Sequence, residues 1–359
     1  MPERLCRILP ASTPKLDATV TDISQSTSAA HNTVRTAGGY RRTNARGLIQ
    51  VTGADRQTWL HNLTTNVINT LKPGDGNYAF AITVQGRTLF DLNVLVFAEH
   101  LWLDIDARWV EPALAHFNKY LIVEDVQLAD ISADWTRFEV LGPKAADCIQ
   151  ALGFGGNFGV MADVQHTHAA VAGADVILVK DNVGPIPRAV LYAPTASADT
   201  VASELASCAQ SLGMSSIDDA LFDVIRMEAG RPASLADVDD QVIPPETLQV
   251  ERGISYVKGC YLGQEVIERM RSRGSMARRL IGLKVAGEKL PEHNAPIFAN
   301  GKEAGRVTSA CHSPALGGIL ALGYLKSLLV DGKHELQVAT SPETTAAGEV
   351  VPLPLPAWT

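Results

Sequence analysis

After Arg279 the chain changes texture to pure β. The runs LIGLKV, APIFANGKEAGRVTS, GILALGYL, HELQVATS and GEVVPLPL are short and separated by turns. Asn300-Gly301 is a hairpin signal, because the favoured two-residue turn needs positive φ at both positions. Short strands with frequent turns predict a small barrel or sandwich over residues 276–359.

Upstream the pattern is mixed. GLIQVTGADRQTWLHNL joins a short apolar run, Leu48 to Val51, to a helical pattern through Trp59, Leu60 and Leu63, with Thr52 or Asp55 as its cap. YAFAITV and TLFDLNVLVF read as two strands joined at Gln85-Gly86-Arg87, and the alternation in LWLDID adds a third, giving a meander. ARWVEPALAHFNKYL has helical spacing through Val110, Leu114, Phe117 and Leu121. FEVLGPKAADCIQALG reads as strand, turn and helix, with Pro143 near the helix start. IDDALFDVIRMEAGRP is a helix stopped by Gly230 and Pro232. Residues 1–45 are rich in Ser, Thr and Ala, show little apolar periodicity, and read as a poorly ordered extension.

At 359 residues the chain is too long for one ordinary core. Apolar residues make up 46% and charged residues 19%, as in soluble globular proteins. A net charge of -8 argues against broad or stable nucleic-acid binding, which needs a positive field, and leaves room for one local basic patch. No apolar run is long enough to span a bilayer. The start, MPERLCRILPASTPKLD, lacks a secretory apolar region and is too acidic for an organelle-targeting peptide. The five cysteines, at 6, 148, 208, 260 and 311, are scattered and include no CxxC pair. A cytoplasmic protein with reduced thiols and no metal site is the expectation. His166-Thr167-His168 looks like a metal pair but has no third ligand placed by sequence, so solvent-exposed strand residues are expected there.

The octapeptide KGCYLGQE, Lys258 to Glu265, raises the chemical question. Cys260 reads equally as a nucleophile, a metal ligand or a small packed residue. Gly259 and Gly263 permit close backbone approach. Lys258 biases Cys260 towards thiolate if the two side chains face the same way, and so does a helix beginning at Gln264. ERMRSRGSMARR adds Arg269, Arg271, Arg273, Arg278 and Arg279, a cationic cluster that suits a polyanion or the glutamate tail of a folate. A solvated charged face is the competing reading.

KGCYLGQE followed by RMRSRG resembles the signature of the YgfZ-type folate-binding proteins, relatives of the glycine cleavage system aminomethyltransferase, the T-protein. The resemblance runs in order over residues 47–359, through GLIQVTGADRQTWLHNLTTNV, GNYAFAITVQGRTLFDLNV, RMEAGRP, IPPE and GKEAGRVTSACHSPALGGILALGYL. It implies an α+β, three-lobed aminomethyltransferase-like folate-binding fold: two α+β lobes over 46–275 and a C-terminal β-barrel over 276–359, around a central hole that takes tetrahydrofolate or a one-carbon derivative. It implies that Glu246 accepts from the pterin and that Asp91 faces the reacting folate nitrogen. Tyr78, Arg226, Lys258, Arg269 and Arg279 join these as candidate folate-binding residues, and Glu228 is a lesser candidate. Arg226 and Glu228 read equally well as a salt bridge within their helix. Phe90 stands where the transferases commonly show a second Asp, which counts against glycine-cleavage chemistry by removing a charge beside Asp91. The family role implied is support of iron–sulfur cluster assembly or repair in selected enzymes, including those that thiolate transfer RNA. Cys260 is then the working thiol, and iron–sulfur clients or assembly proteins are the partners of a monomer. A folate-dependent aminomethyltransferase is the alternative.

Overall fold

The computed structural model describes residues 25–156, 158–274, 276–331 and 334–358. The expected loose extension is corrected within this range. Helix α1 (Gln25–Thr36) leads into strand β1 (Gly39–Thr43), which is built into a sheet. Residues 1–24 lie outside the described residues. Apolar periodicity missed α1 because its buried face holds little apolar bulk: Val34 is fully buried, and so is His31, which hydrogen-bonds Glu228. The turn after it leaves no room for a side chain at Gly38. Gly38 has φ +146°, and a Cβ there would lie 2.7 Å from the Leu141 carbonyl oxygen.

The first lobe contains β2 (Arg46–Thr52), α2 (Arg56–Leu63), β3 (Gly76–Ile82), β4 (Thr88–Val96), β5 (Leu101–Asp106), α3 (Val110–Asn118) and β6 (Gln127–Asp130). Its sheet runs β3-β4-β5-β2-β6, so the predicted meander forms its first half. Asp55 precedes α2 but does not cap it; its carboxylate accepts from the Asp125 amide instead. One face of the sheet, with Ala79, Phe90, Leu92 and Val94, packs on Trp59, Leu60 and Phe117 of the two helices.

The second lobe contains β7 (Trp135–Leu141), α4 (Ala145–Ala151), β8 (His166–Val171), β9 (Ala174–Lys180), β10 (Arg188–Pro194), α5 (Ala198–Ser211), β11 (Ser215–Ser216) and α6 (Asp219–Glu228). The sheet order is β11-β1-β7-β10-β9-β8, so the N-terminal strand β1 supplies an interior position. It pairs antiparallel with β7 and parallel with β11. Asp218 caps α6 by accepting from the Leu221 amide at 2.8 Å. His168 is exposed as expected, but His166 is buried against the Phe97 ring, with 4.5 Å between centroids.

After two short helical pieces, α7 (Val250–Gly253) and α8 (Gln264–Arg273), the chain forms a closed barrel. Its strands are β12 (Arg278–Val285), β13 (Pro296–Ala299), β14 (Lys302–Ser313), β15 (Gly318–Lys326), β16 (Leu336–Ser341) and β17 (Thr344–Val351). The order is β12-β15-β14-β13-β16-β17, and β12 pairs with β17 to close it. Closure removes the unpaired edges that an open sheet would carry. Asn300 and Gly301, at φ 50° and 73°, make the predicted turn.

The α+β fold with its C-terminal barrel is therefore present. The three lobes share one core: Tyr78, Phe80 and Trp102 come from the first, Val179 and Tyr192 from the second, and Leu322 and Tyr324 from the barrel. No helix among the described residues is long and apolar enough to cross a membrane.

Candidate functional site

The inner face of the first sheet carries a polar stripe. Tyr78 lies opposite Asn93, Asn93 opposite Asp104, and Phe80 opposite Asp91. Side chains alternate along a strand, so these residues face the shared core while Phe90 and Leu92 face the helices. All four polar members of the stripe are buried. The alternation in LWLDID marks a strand but does not say which face is wet; both faces of this sheet are covered, and Asp104 is buried.

Tyr78 donates its phenol hydrogen to Asp91 Oδ2 at 3.0 Å. Burial, with the Asp91 charge beside it, holds the phenol well above its ordinary pKa, so it remains a donor. Asp91 Oδ1 is buried and has no hydrogen-bond partner. A buried carboxylate oxygen without a donor costs free energy on the order of 1–3 kcal/mol, which a donor from a ligand recovers.

Facing the stripe is a network of arginines and carboxylates. Asp104 accepts from Arg46 at 2.7 Å and from Arg137 at 2.9 Å. Asp181 accepts from Arg188 and Arg252, and more distantly from Arg231 at 3.4 Å. Arg252 also grips Asp163. Glu139 takes Arg41, Arg137 and Arg188. Burial alone would raise these carboxyl groups. The surrounding guanidinium charges outweigh it and hold Asp104, Glu139 and Asp181 below the usual carboxylate range. Arg252 and Arg231 also lie over the Tyr78 ring, 4.3 and 5.2 Å from its centroid. On the flank, a cleft of about 540 Å³ opens between the lobes, walled by Arg46, Leu48, Trp135, Arg137 and Tyr192.

The other expected site residues divide. Glu246 is buried on the short turn Pro244–Glu246, and both its oxygens face Nε of Arg278, at 3.2 and 3.1 Å. Burial raises its pKa and Arg278 opposes the rise. Arg279, the expected companion, is exposed, because the alternation along β12 turns Arg278 inward. Arg269 is exposed on α8, and Arg271 stacks over the Tyr256 ring. Arg226 and Glu228 are buried but do not pair with each other. Arg226 holds Asp223 and Asp237, whereas Glu228 accepts from His31, Ser313 and Trp358.

The octapeptide is a braced loop. The Lys258 ammonium donates to the carbonyl oxygens of His61, Thr64 and Asn66, which cluster at the C-terminal end of α2, and lies over the Tyr261 ring at 4.7 Å from its centroid. Burial pulls its pKa down to about 7. Its hydrogen bonds thus go to these carbonyl groups, and no hydrogen bond joins it to the thiol it was expected to favour if the two side chains faced the same way. Gly263, at φ +77°, is required, because a Cβ there would lie 2.2 Å from the Thr83 carbonyl oxygen. Gly259 has open space around it. Cys260 is exposed just before α8, whereas Cys148 and Cys311 are buried and Cys208 is partly covered. Burial pushes the Cys148 thiol up to about 12. No cluster of three or more metal-ligating side chains occurs among the described residues.

Sequence reasoning missed Asn93, Asp181, Arg231 and Arg252. Asn93 carried a signal, a polar residue inside the strongly apolar run TLFDLNVLVF. Asp181 and Arg231 lie in loops and Arg252 on the short helix α7. Arg231 stands inside the stretch RMEAGRP, but nothing local marks the three as meeting, with the two arginines over Tyr78.

The geometry agrees with comparisons to known proteins. Residues 10–254 match the GCVT N-terminal domain and residues 278–355 the glycine cleavage T-protein C-terminal barrel domain. The chain belongs to this T-protein family. It is 25% identical over 331 residues to an aminomethyltransferase of Rubrobacter xylanophilus, covering 91% of this chain and 85% of that one. It is 26% identical over 305 residues to a putative chloroplastic transferase of Arabidopsis thaliana, covering 84% and 66%. The fold is that of the glycine cleavage system aminomethyltransferase T from Bartonella henselae, with a TM-score of 0.79 at 20% identity over 91% of this chain and 89% of that one.

Proposed function

We propose that the protein binds tetrahydrofolate beside Asp91 and acts as an accessory factor for iron–sulfur cluster assembly or repair in selected enzymes, including those that thiolate transfer RNA. The observation that carries the folate part is the buried, unpartnered Oδ1 of Asp91. It fits a group bearing an N–H donor in an otherwise enclosed place. When bound, tetrahydrofolate supplies the amines that carry a one-carbon unit. In this reading Asp91 accepts from the folate amine and steadies positive charge near it. Tyr78 fixes the orientation of Asp91. Glu246, which keeps lone pairs beyond those turned to Arg278 and the Ile243 amide, accepts from the pterin edge.

The accessory part rests on the octapeptide resemblance and on the exposure of Cys260 in a braced loop. Iron–sulfur clients or assembly proteins are the proposed partners, met by a monomer in the cytoplasm. A deletion strain tests it, with iron–sulfur enzyme activity and transfer-RNA thiolation as readouts. Both should fall, and be restored by the wild-type chain but not by Cys260→Ala. Normal values in the deletion strain would remove the accessory reading.

One observation favours a second reading, a folate-dependent aminomethyltransferase. Phe90 packs in the apolar core on the other side of the sheet from Asp91. Its presence therefore takes no charge from the carboxylate's surroundings, and the argument drawn from it against transferase chemistry fails. Turnover with methylene-tetrahydrofolate, ammonia and a lipoylated carrier, abolished in Asp91→Asn, would establish this alternative over the first.

A further inference from the structure

Charge around Tyr78 is unbalanced in a specific way. On one side stands Asp91, a buried carboxylate whose one hydrogen-bond partner among the described residues is the neutral Tyr78 hydroxyl, with Arg46 near enough to feel its charge. On the other side stand Arg231 and Arg252, both over the Tyr78 ring. Asp181 is shared among Arg188, Arg231 and Arg252. Arg188 has Glu139 as a second carboxylate and Arg252 has Asp163, but among the described residues Arg231 has, besides the Tyr78 ring, the long 3.4 Å contact to Asp181 and an equally long one to the Asn182 carbonyl. Burial, with Arg252 beside it, pulls the Arg231 pKa down to about 10. Nη1 of Arg252 is buried without a partner, and so is Oδ1 of Asn93.

These orphans are connected. Asn93 donates to Asp181, Arg252 donates to the same carboxylate, and Tyr78 joins the arginines to Asp91. The site therefore offers free acceptors, Asp91 Oδ1 and Asn93 Oδ1, and a free donor, Arg252 Nη1, with the loosely held Arg231 beside it. Buried polar groups in native proteins are almost all paired, so so many orphans around one side chain point to a ligand. The ligand that completes them carries a cationic amine and an anionic carboxylate a short distance apart.

We propose that this place binds a small amino acid, free or N-methylated, with its ammonium on Asp91 and Asn93 and its carboxylate on Arg252 and Arg231. The inference deepens the folate reading and rests on it, because the amino acid would sit where Asp91 meets the folate amine.

The test uses the full chain with glycine and sarcosine as probes, read by saturation-transfer NMR and calorimetry. Methylammonium and acetate, each with half the functionality, are controls, and tetrahydrofolate is titrated in parallel. Glycine or sarcosine should bind, and each half-ligand should bind at least about tenfold more weakly, as expected for losing one charge-assisted contact. Arg231→Met and Asp91→Asn should each weaken glycine binding by a similar factor. Arg231→Lys, which keeps the charge but not the fork, serves if the Met variant does not fold, and should weaken glycine binding less than removal of the charge. Glycine and sarcosine binding no better than acetate, in a protein that binds tetrahydrofolate, overturns this proposal alone. Undiminished glycine binding in the folded Arg231 and Asp91 variants also overturns it. Absence of both glycine and tetrahydrofolate binding overturns the folate reading with it.

Discussion

Asp91 and Phe90 are neighbours in the chain and face opposite sides of one sheet: Asp91 meets Tyr78 in the shared core, and Phe90 packs on Phe117 under helix α3. Adjacency in sequence is therefore separation in space. Phe90→Asp would put a charge into an apolar core rather than beside Asp91. It should cost several kcal/mol of stability, roughly 3–5, as for other large core disruptions. Thermal or urea unfolding reads the loss, and a folded, nearly unaffected variant would show that Phe90 does not lie in that core.

The two glycines of KGCYLGQE separate cleanly. Gly263→Ala forces a side chain to φ +77° and against the Thr83 carbonyl. It should destabilise the protein by about 2 kcal/mol or more. Gly259→Ala meets no atom within 4 Å and should be within about 0.5 kcal/mol of wild type. Equal effects of the two changes would contradict this geometry.

Lys258 stitches this loop onto the end of α2. Lys258→Met removes a donor shared by three carbonyl oxygens and should cost about 1–3 kcal/mol. Cys260 should at the same time react faster with a thiol reagent as the loop loosens. An unchanged modification rate in a destabilised variant would show that the loop is held by other contacts.

The inter-lobe network sets a pH dependence. Asp104, Glu139 and Asp181 all have folded pKa values depressed below their unfolded ones. Such groups contribute stability that is fully present above the unfolded carboxylate value, about 4, and is lost as pH falls through the folded values. Stability should therefore fall steeply below about pH 4, and Glu139→Gln should be less stable at neutral pH with a shallower acid slope. A parallel acid profile for that variant would argue against the network.

Local pattern made the barrel, the meander and helices α2, α3, α4, α6 and α8 legible, because each has its own period, whereas α5 went unread. The polar stripe was half legible: Asp91 showed through family resemblance, while Asp104 hid in an alternating run that implied an exposed face. Helix α1 was missed because its burial depends on His31 and Glu228, 197 residues apart. The same distance problem hid Arg231 and Arg252, whose meaning comes only from meeting over Tyr78. Of the neighbours Arg278 and Arg279 the sequence pointed to Arg279, whereas the strand register turns Arg278 towards Glu246.

The measurement closest to the central claim is a calorimetric titration of tetrahydrofolate into the wild-type chain and into Asp91→Asn, with folding of both checked by circular dichroism. Binding at about micromolar affinity or better is predicted for the wild type, weakened roughly 10- to 100-fold in the variant by loss of a charged acceptor. No detectable binding to the folded wild-type chain, or equal affinity for both proteins, would contradict the account.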